Sequence, residues 1–362
     1  MNLAKNIYQR KDGRFEARVS LGKDENGKRR YRSFYGNTAE EAEFKMLAAR
    51  EPTAVPANST EMTVKELTME YISTIKPRLK ESSEANYRLK AEKHIIPAFG
   101  NMNCCLLKAK NVYDFIENKL KIGLSARYVA DIIVLLKSVY RYASRVYGIN
   151  NCLEGIVMPK RTKPEITVLS KSEQSRLMAY LKEDFDLNAL GIALSLHTGI
   201  RIGELCALQW RDIDLTNRTI TVRKTVQRIK CYGGKNKTKL VITEPKSQSS
   251  VRVIPIPDCL IVMLEKFKDN ADKYVLSGKY SPVEPRTVQY RFASVLKKAN
   301  LPSVHYHSLR HAFATNCITL GFDVKTLSEI LGHSSVEITL NRYVHSSLDR
   351  KRACMDMIKW AA

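Results

Sequence analysis

Residues 305–315 read HYHSLRHAFAT, which puts three histidines and an arginine inside seven positions. His307 and His311 stand four apart, a spacing that on a helix sets two imidazoles on one face, as a pair of zinc ligands requires. Against a metal, there is no HExxH pattern, no acidic or cysteine ligand lies nearby, and Arg310 falls in the same turn, where its guanidinium opposes a cation. No metal site is expected. An anion suits these residue types better. Arg310 carries a planar fork that matches two phosphate oxygens, and His307, three positions earlier, can donate or accept a proton beside it. On this pair alone, a structural surface pairing explains the residues equally well.

Three further stretches carry the same chemistry. HTGIRIGELCALQW has Arg201 beside a turn glycine at a helix start, with Glu204 three positions on and able to hold the arginine in place. EPKSQSSVRVIPI puts Lys246 just before a strand, and LGHSSVEITLNRYVH supplies His333 and then Tyr343 on a short helix. Each has a plain alternative: a helical salt bridge, a solvated turn lysine, a tyrosine in the core.

The whole chain favours a polyanionic partner. It has 362 residues, 60 Lys and Arg against 37 acidic residues, and a formal net charge of +23, which points to nucleic acid and to salt-dependent binding. A hydrophobic content of 44% excludes a disordered basic tail. The start, MNLAKNIYQRKDGR, has no apolar core, no run reaches the roughly 18 apolar residues of a membrane span, and the eight cysteines form no CxxC. A cytoplasmic, nucleoid-associated protein with reduced thiols is expected.

Patterning predicts a multidomain chain, mainly α with small sheets. Residues 1–52 read as a three-stranded sheet plus helix. RFEARVSL sets Phe15, Ala17, Val19 and Leu21 on one face, RRYRSFYG returns, Asp12–Gly13 turns the chain earlier, and Thr38 with Glu41 caps a helix to about Arg50. Arg14, Arg18, Arg30, Tyr31 and Arg32 are candidate DNA contacts on its open face; a solvated charged face is the alternative. EPTAVPANST is a linker. Residues 62–155 read as four or five helices, the last, SARYVADIIVLLKSVYRYASRVYG, stopping at Gly148. VMPKRTKPEIT forms a second seam before a mixed α and β segment, 165–362. There TITVRKTVQRI and SSVRVIPI are strands flanking the polar KCYGGKNKTK, and SLRHAFATNCITLG is a helix with Leu309, Ala312, Phe313, Asn316, Cys317 and Leu320 on one stripe and Gly321 as its stop.

Taken together, these motifs resemble the tyrosine recombinase (phage integrase) family. TGIRIGEL looks like its first arginine motif, PKSQSSVRVIPI its strand lysine, HSLRHAFAT its His-x-x-Arg, LGHSS its second histidine and TLNRYVH its nucleophile segment, all in family order. The helical middle is similar to the core-binding, SAM-like domain. The N-terminal sheet is similar to the arm-binding domain of phage and conjugative-transposon integrases. The resemblance implies that Tyr343 attacks a DNA phosphodiester and becomes joined to its 3′ phosphate. It also implies that Arg201 and Arg310 clamp the non-bridging oxygens, His307 takes the phenol proton, His333 hydrogen-bonds the phosphate and Lys246 protonates the departing 5′ oxygen. Neither ATP nor a metal ion or other cofactor is implied.

The implied partners are double-stranded DNA at element ends, target and arm-type sites, three further copies of the chain in a tetramer, and accessory excision or DNA-bending proteins. The tail after Tyr343, with Leu348, Met355, Ile358 and Trp360, is expected to dock on a neighbouring protomer; packing on its own domain is the alternative. Two departures stand out: Asn151–Cys152 replaces the family's frequent Asn-Pro, and Ser247 follows Lys246 where threonine is common. Lys235, Lys237 and Lys239 lie close enough to be confused with Lys246. Two other functions compete, a non-catalytic architectural DNA-binding protein and a DNA-relaxing enzyme of the type IB topoisomerase kind. A binder needs no nucleophile, and the extra N-terminal sheet favours recombination.

Overall fold

The computed structural model describes residues 7–10, 12–23, 29–50, 61–160, 167–232, 236–244, 251–343, 352 and 355–356. Lys246 and nearly all of the tail lie outside them. The chain forms two compact units, Met1–Thr162 and Lys163–Ala362.

In the first unit, β1 (Ile7–Gln9), β2 (Phe15–Lys23) and β3 (Arg29–Gly36) form an antiparallel sheet in that order, followed by α1 (Ala39–Arg50). The period-two reading holds where side chains are described. Ala17 is buried with Ile7, Ala42 and Met46, and Phe15 packs on them. The other face departs from expectation: Glu16 is only 3% exposed, because Arg10, Arg18 and Tyr35 lie over its carboxylate. At the helix start, Glu41 N–H donates to Thr38 Oγ1 while the Glu41 carboxylate accepts from Asn37 N–H, one residue earlier than a strict capping box.

The helical part contains α2 (Val64–Ile75), α3 (Glu81–Lys90), α4 (Ile96–Phe99), α5 (Ala109–Lys121) and α6 (Ala126–Tyr147). Thr63 and Glu66 cap α2 reciprocally, and α6 ends at Gly148 in the left-handed region. The long amphipathic α6 supplies Val129, Ile132, Ile133, Leu136, Val139 and Tyr140 to one apolar core.

The second unit begins with α7 (Lys171–Glu183), α8 (Leu187–Thr198) and α9 (Ile202–Ala207). Helix α8 is apolar on almost every side, as a helix surrounded by others must be; α7, α10 (Asp258–Phe267), α11 (Pro285–Lys298) and α12 (Ser308–Thr319) pack around it. Strands β4 (Ile213–Asp214), β5 (Thr219–Val222) and β8 (Arg252–Pro255) make one antiparallel sheet in the order β4-β5-β8. Strands β6 (Thr225–Lys230) and β7 (Thr238–Thr243) form a separate hairpin closed by the polar Lys-rich stretch. The spacing did not predict β7: it is half exposed on a two-stranded ribbon, so no continuous dry face marks it.

Helix α12 corrects one expectation. It ends at Thr319, and Leu320 is 75% exposed, outside the apolar stripe. Asn316 is not an apolar partner either; its amide donates to Gln174 Oε1 at 2.8 Å. Helices α13 (Val324–Leu331) and α14 (Val336–Tyr343) complete the unit.

Candidate active site

The site is built around the C-terminal end of α13. Asp323 caps its start through Thr326 N–H at 2.8 Å. At the other end Gly332 turns left-handed at φ 63°, with its N–H on Glu329 O and His333 N–H on Ser328 O. This is a Schellman closure, which satisfies two of the last carbonyls and leaves the next three in need of donors. Each of those three is taken by a different arginine. Arg252 Nε donates to Ile330 O at 2.6 Å, Arg310 Nη2 to Leu331 O at 2.7 Å and Arg201 Nη2 to Gly332 O at 2.8 Å. Guanidinium groups at the negative end of a helix are favoured electrostatically as well as by hydrogen bonding.

Each arginine has a second anchor. Arg310, 2% exposed, donates through Nη1 to Gly199 O at 2.7 Å, which ties the start of α12 to the end of α8. Gly199 is required there for two reasons: its φ is 64°, and a Cβ would stand 2.5 Å from Phe313 Cδ1. Arg201 immediately precedes α9 and donates from Nη1 to Glu204 Oε1 at 2.8 Å, while its N–H donates to Glu204 Oε2 at 3.0 Å. Arg252 reaches the same carboxylate from β8, at 3.1 Å to Oε1 and 2.8 Å to Oε2. Burial alone raises the pKa of Glu204, but hydrogen bonds from Arg252, then the charges of Arg252 and Arg201, outweigh it and hold the carboxyl below the ordinary carboxylate range. Three guanidiniums against one carboxylate leave a net positive site suited to an anion.

His333 sits at its margin. His333 directly follows the gripped helix end; its Nδ1 lies 2.7 Å from Thr339 Oγ1, a fully buried hydroxyl on α14. That contact orients the imidazole. His307 caps α12, is exposed, and meets the buried His311 edge-on with ring centroids 4.8 Å apart. The residue between the first two histidines of the cluster, Tyr306, is buried and hydrogen-bonds Ser195 Oγ and Gly191 O, so the approach to α12 is pinned on α8. Tyr343 is the last residue of α14, the helix that carries Thr339.

Among the residues singled out in the sequence, Arg201, Glu204, Arg310 and His333 therefore converge on one helix end. Lys246 lies outside the described residues, between β7 and β8. Sequence reasoning missed Arg252 and Thr339. Arg252 was detectable: in VRVIPI the alternation puts it on the buried face with Ile254 and Ile256, a charge where an apolar residue is expected. Among the described residues, no group of three or more His, Cys, Asp or Glu is arranged to hold a metal ion.

The N-terminal candidates present a different surface. Arg14 pairs with Asp12 at 2.8 Å and Arg18 with Glu16 at 3.0 Å; both arginines are about half exposed. Arg18 also lies over the Tyr8 ring at 5.6 Å and Arg32 over Phe34 at 5.5 Å. Tyr31 is 50% exposed, and the Arg30 side chain lies outside the described residues. The hydrogen bond from Arg18, with others from Ser33 and Arg10, brings the Glu16 carboxyl down to about 2.

The model of the phage integrase family matches residues 167–350, and that of its N-terminal SAM-like domain matches 63–120. The chain belongs to the phage integrase family. It is similar to a tyrosine recombinase XerC-like protein of Caldanaerobacter subterraneus subsp. tengcongensis, 28% identical and covering 95% of each chain. It is also similar to the ICEBs1 integrase of Bacillus subtilis, 24% identical with 80% of each covered. In fold it is similar to the Tn1549 transposon integrase solved in complex with transposon right end DNA, with a TM-score of 0.69, 23% identity and coverage of 82% of this chain and 99% of that one. A lambda integrase dimer bound to a core site aligns over 95% of each chain with a TM-score of 0.61 and 19% identity. The chain is thus a tyrosine-type, site-specific DNA recombinase, an enzyme that cleaves and rejoins DNA.

Proposed function

We propose that this chain integrates and excises a mobile element, with Tyr343 as nucleophile and the α13 terminus as the seat of the scissile phosphate. A phenol has an ordinary pKa of about 10, and a phosphodiester repels nucleophiles, so attack at neutral pH depends on fixed positive charge around the phosphorus. Arg201 and Arg310 supply that charge to the two non-bridging oxygens. His307 accepts the phenol proton, His333 donates to a phosphate oxygen from Nε2, and Lys246 delivers a proton to the leaving 5′ oxygen. The tyrosine oxygen–phosphorus bond forms as the phosphorus–5′-oxygen bond breaks, leaving a 3′-phosphotyrosyl end and a free 5′ hydroxyl. A 5′ hydroxyl from a second duplex reverses the step, so phosphoester bonds are conserved and no high-energy cofactor is needed.

The observation that carries this reading is the arginine-gripped helix end, which supports a rigid, positively charged seat with His333 immediately beside it. Three domains divide the labour: 1–52 binds arm-type DNA, with Arg14, Arg18, Arg30, Tyr31 and Arg32 as contacts; 62–155 binds the core site; 165–362 performs the chemistry. Four copies act together on two duplexes through a Holliday junction, each tail docking on a neighbour, and accessory proteins bias the direction. The lambda integrase solved as a tetramer bound to a Holliday junction supports this assembly. The enzyme works on the nucleoid, in the cytoplasm; among the described residues no helix is long and apolar enough to cross a membrane.

The test is incubation with nicked duplexes spanning the ends of the element that carries the gene, in EDTA, followed by denaturing electrophoresis. A covalent protein–DNA band that Tyr343→Phe abolishes is the expected result. Binding without a band, and cutting restored by a divalent ion, would overturn the assignment.

A further inference from the structure

Arg252 is the arginine of the site to which no step above gives a role, and it is the one most completely engaged with the other parts. It is 8% exposed, points from β8 to the core side of its sheet, and joins two elements far apart in sequence. Its Nη1 and Nη2 engage both oxygens of Glu204 on α9, and its Nε engages Ile330 O at the end of α13. Gly332 fits against it so closely that an added Cβ would stand 2.9 Å from Arg252 Cδ and 3.0 Å from Nη1. Glu204 in turn holds Arg201 by side chain and by backbone.

We infer that Arg252 is a positioning residue for strand cleavage: a buried fork that locks the Arg201–Glu204 pair to the helix end bearing His333. The inference rests on the functional reading above and extends it to a residue that touches no DNA. The physical reason for an arginine is geometric. One planar fork meets a carboxylate with two nitrogens and still presents Nε to a carbonyl, which a lysine ammonium cannot do with the same rigidity. Glu204 needs that partner. Without it a carboxylate 5% exposed keeps, among the described residues, only Arg201, which is a third exposed and is the group required to reach the phosphate. Among the described residues, the charged groups that bear on the carboxylate are Arg252 and Arg201. Loss of Arg252 therefore lets Glu204 take a proton at higher pH and release Arg201 as it does so.

The experiment follows the rate of covalent adduct formation on the nicked duplexes, across pH, for the full-length chain and three variants. Arg252→Met is expected to slow cleavage about 100-fold, the scale of a misplaced catalytic group, while gel-shift affinity for the duplex changes little. Its rate falls more steeply toward acid than that of the unmodified chain, because Glu204 protonates there. Arg252→Lys keeps the charge and restores the pH profile but only part of the rate. Glu204→Gln/Arg252→Met removes the titrating group and abolishes the extra acid sensitivity.

A folded Arg252→Met chain that cleaves as fast as the unmodified one overturns the inference. So does one slowed by the same factor at every pH and with the same pH profile in the double variant, which marks a purely structural role. If Arg252→Met fails to fold, Arg252→Lys decides: a wild-type rate overturns the proposal, and a loss of about tenfold or more with unchanged melting supports it. Absence of an adduct from the unmodified chain instead overturns the functional reading itself, and the Arg252 role with it.

Discussion

Two groups of arginines in this molecule do opposite work. In the second unit Arg252 and Arg310 are buried, and with Arg201 they hold backbone carbonyls and one carboxylate at 2.6–3.1 Å. On the N-terminal sheet Arg10, Arg14 and Arg18 are about half exposed, pair with Asp12 and Glu16, and lie over aromatic rings. A buried guanidinium has exchanged its water for fixed partners, so its position is set and its removal leaves carbonyls unsatisfied. An exposed one keeps its water and can trade a carboxylate for a phosphate at small cost. The first arrangement suits a site that must be shaped before the substrate arrives, the second a surface that meets a polyanion.

That contrast can be broken most forcefully at Arg310. Arg310→Lys is expected to lower the rate of covalent adduct formation about 100- to 1000-fold, the scale of losing one oxyanion donor, although the charge is kept. It should also cost about 1–3 kcal/mol of stability, because a single ammonium nitrogen does not reproduce the fixed placement of Nη1 on Gly199 O and Nη2 on Leu331 O. Single-turnover cleavage and denaturant melts report the two effects, and a variant that matches the unmodified chain in both removes the idea of a preformed seat.

Next comes Gly199→Ala. The added methyl meets Phe313 at 2.5 Å on a left-handed backbone, so a loss of roughly 2–3 kcal/mol is expected from overpacking and strain together. Thermal unfolding checks the number, and cleavage should fall with it because Gly199 carries one of the Arg310 anchors.

On the sheet the effects are smaller and of a different kind. Glu16 has its folded-state pKa depressed to about 2 from a usual 4.5. The stability it contributes is therefore present above about pH 4.5 and is lost as pH falls toward 2. Its partners Arg10 and Arg18 are 43% and 47% exposed, so solvent screening keeps that contribution modest. A carboxyl NMR titration of Glu16 in the full chain should show the depressed value, and Arg18→Ala should raise it. An unshifted value would dissolve the covered-carboxylate picture.

The smallest stability change is expected at Arg14 and Arg32. Alanine at either should leave melting within about 0.5 kcal/mol while reducing the slope of log affinity for arm-type DNA against log salt by about one. An unchanged salt slope returns these residues to a merely solvated face.

Much of the site was legible because its motifs are local. The i,i+3 pair Arg201–Glu204, the His307–Arg310 spacing and the Leu331–Gly332–His333 turn each lie within one or two helical turns, where side-chain chemistry and backbone periodicity are fixed together. The sheet's dry face and the Gly148 stop were legible for the same reason. The Gly321 stop of α12 was legible too, since it turns left-handed at φ 89° just past the last turn. Strand β7 and the exposure of Leu320 were not, since a half-exposed ribbon and a single leucine beyond the helix leave little hydrophobic period.

By itself, then, the sequence determined which chemistry is available: two arginines, a lysine, two histidines and a tyrosine in a fixed order, on a strongly basic chain. Only the tertiary structure decided that three arginines distant in sequence close on the carbonyls of residues 330–332, that Arg252 is one of them, and that Thr339 orients His333. The reason is physical. A helix end must satisfy its last carbonyls, but nothing in the local sequence says which donors will do so until the packing of α8, α9, α12 and β8 brings them within reach.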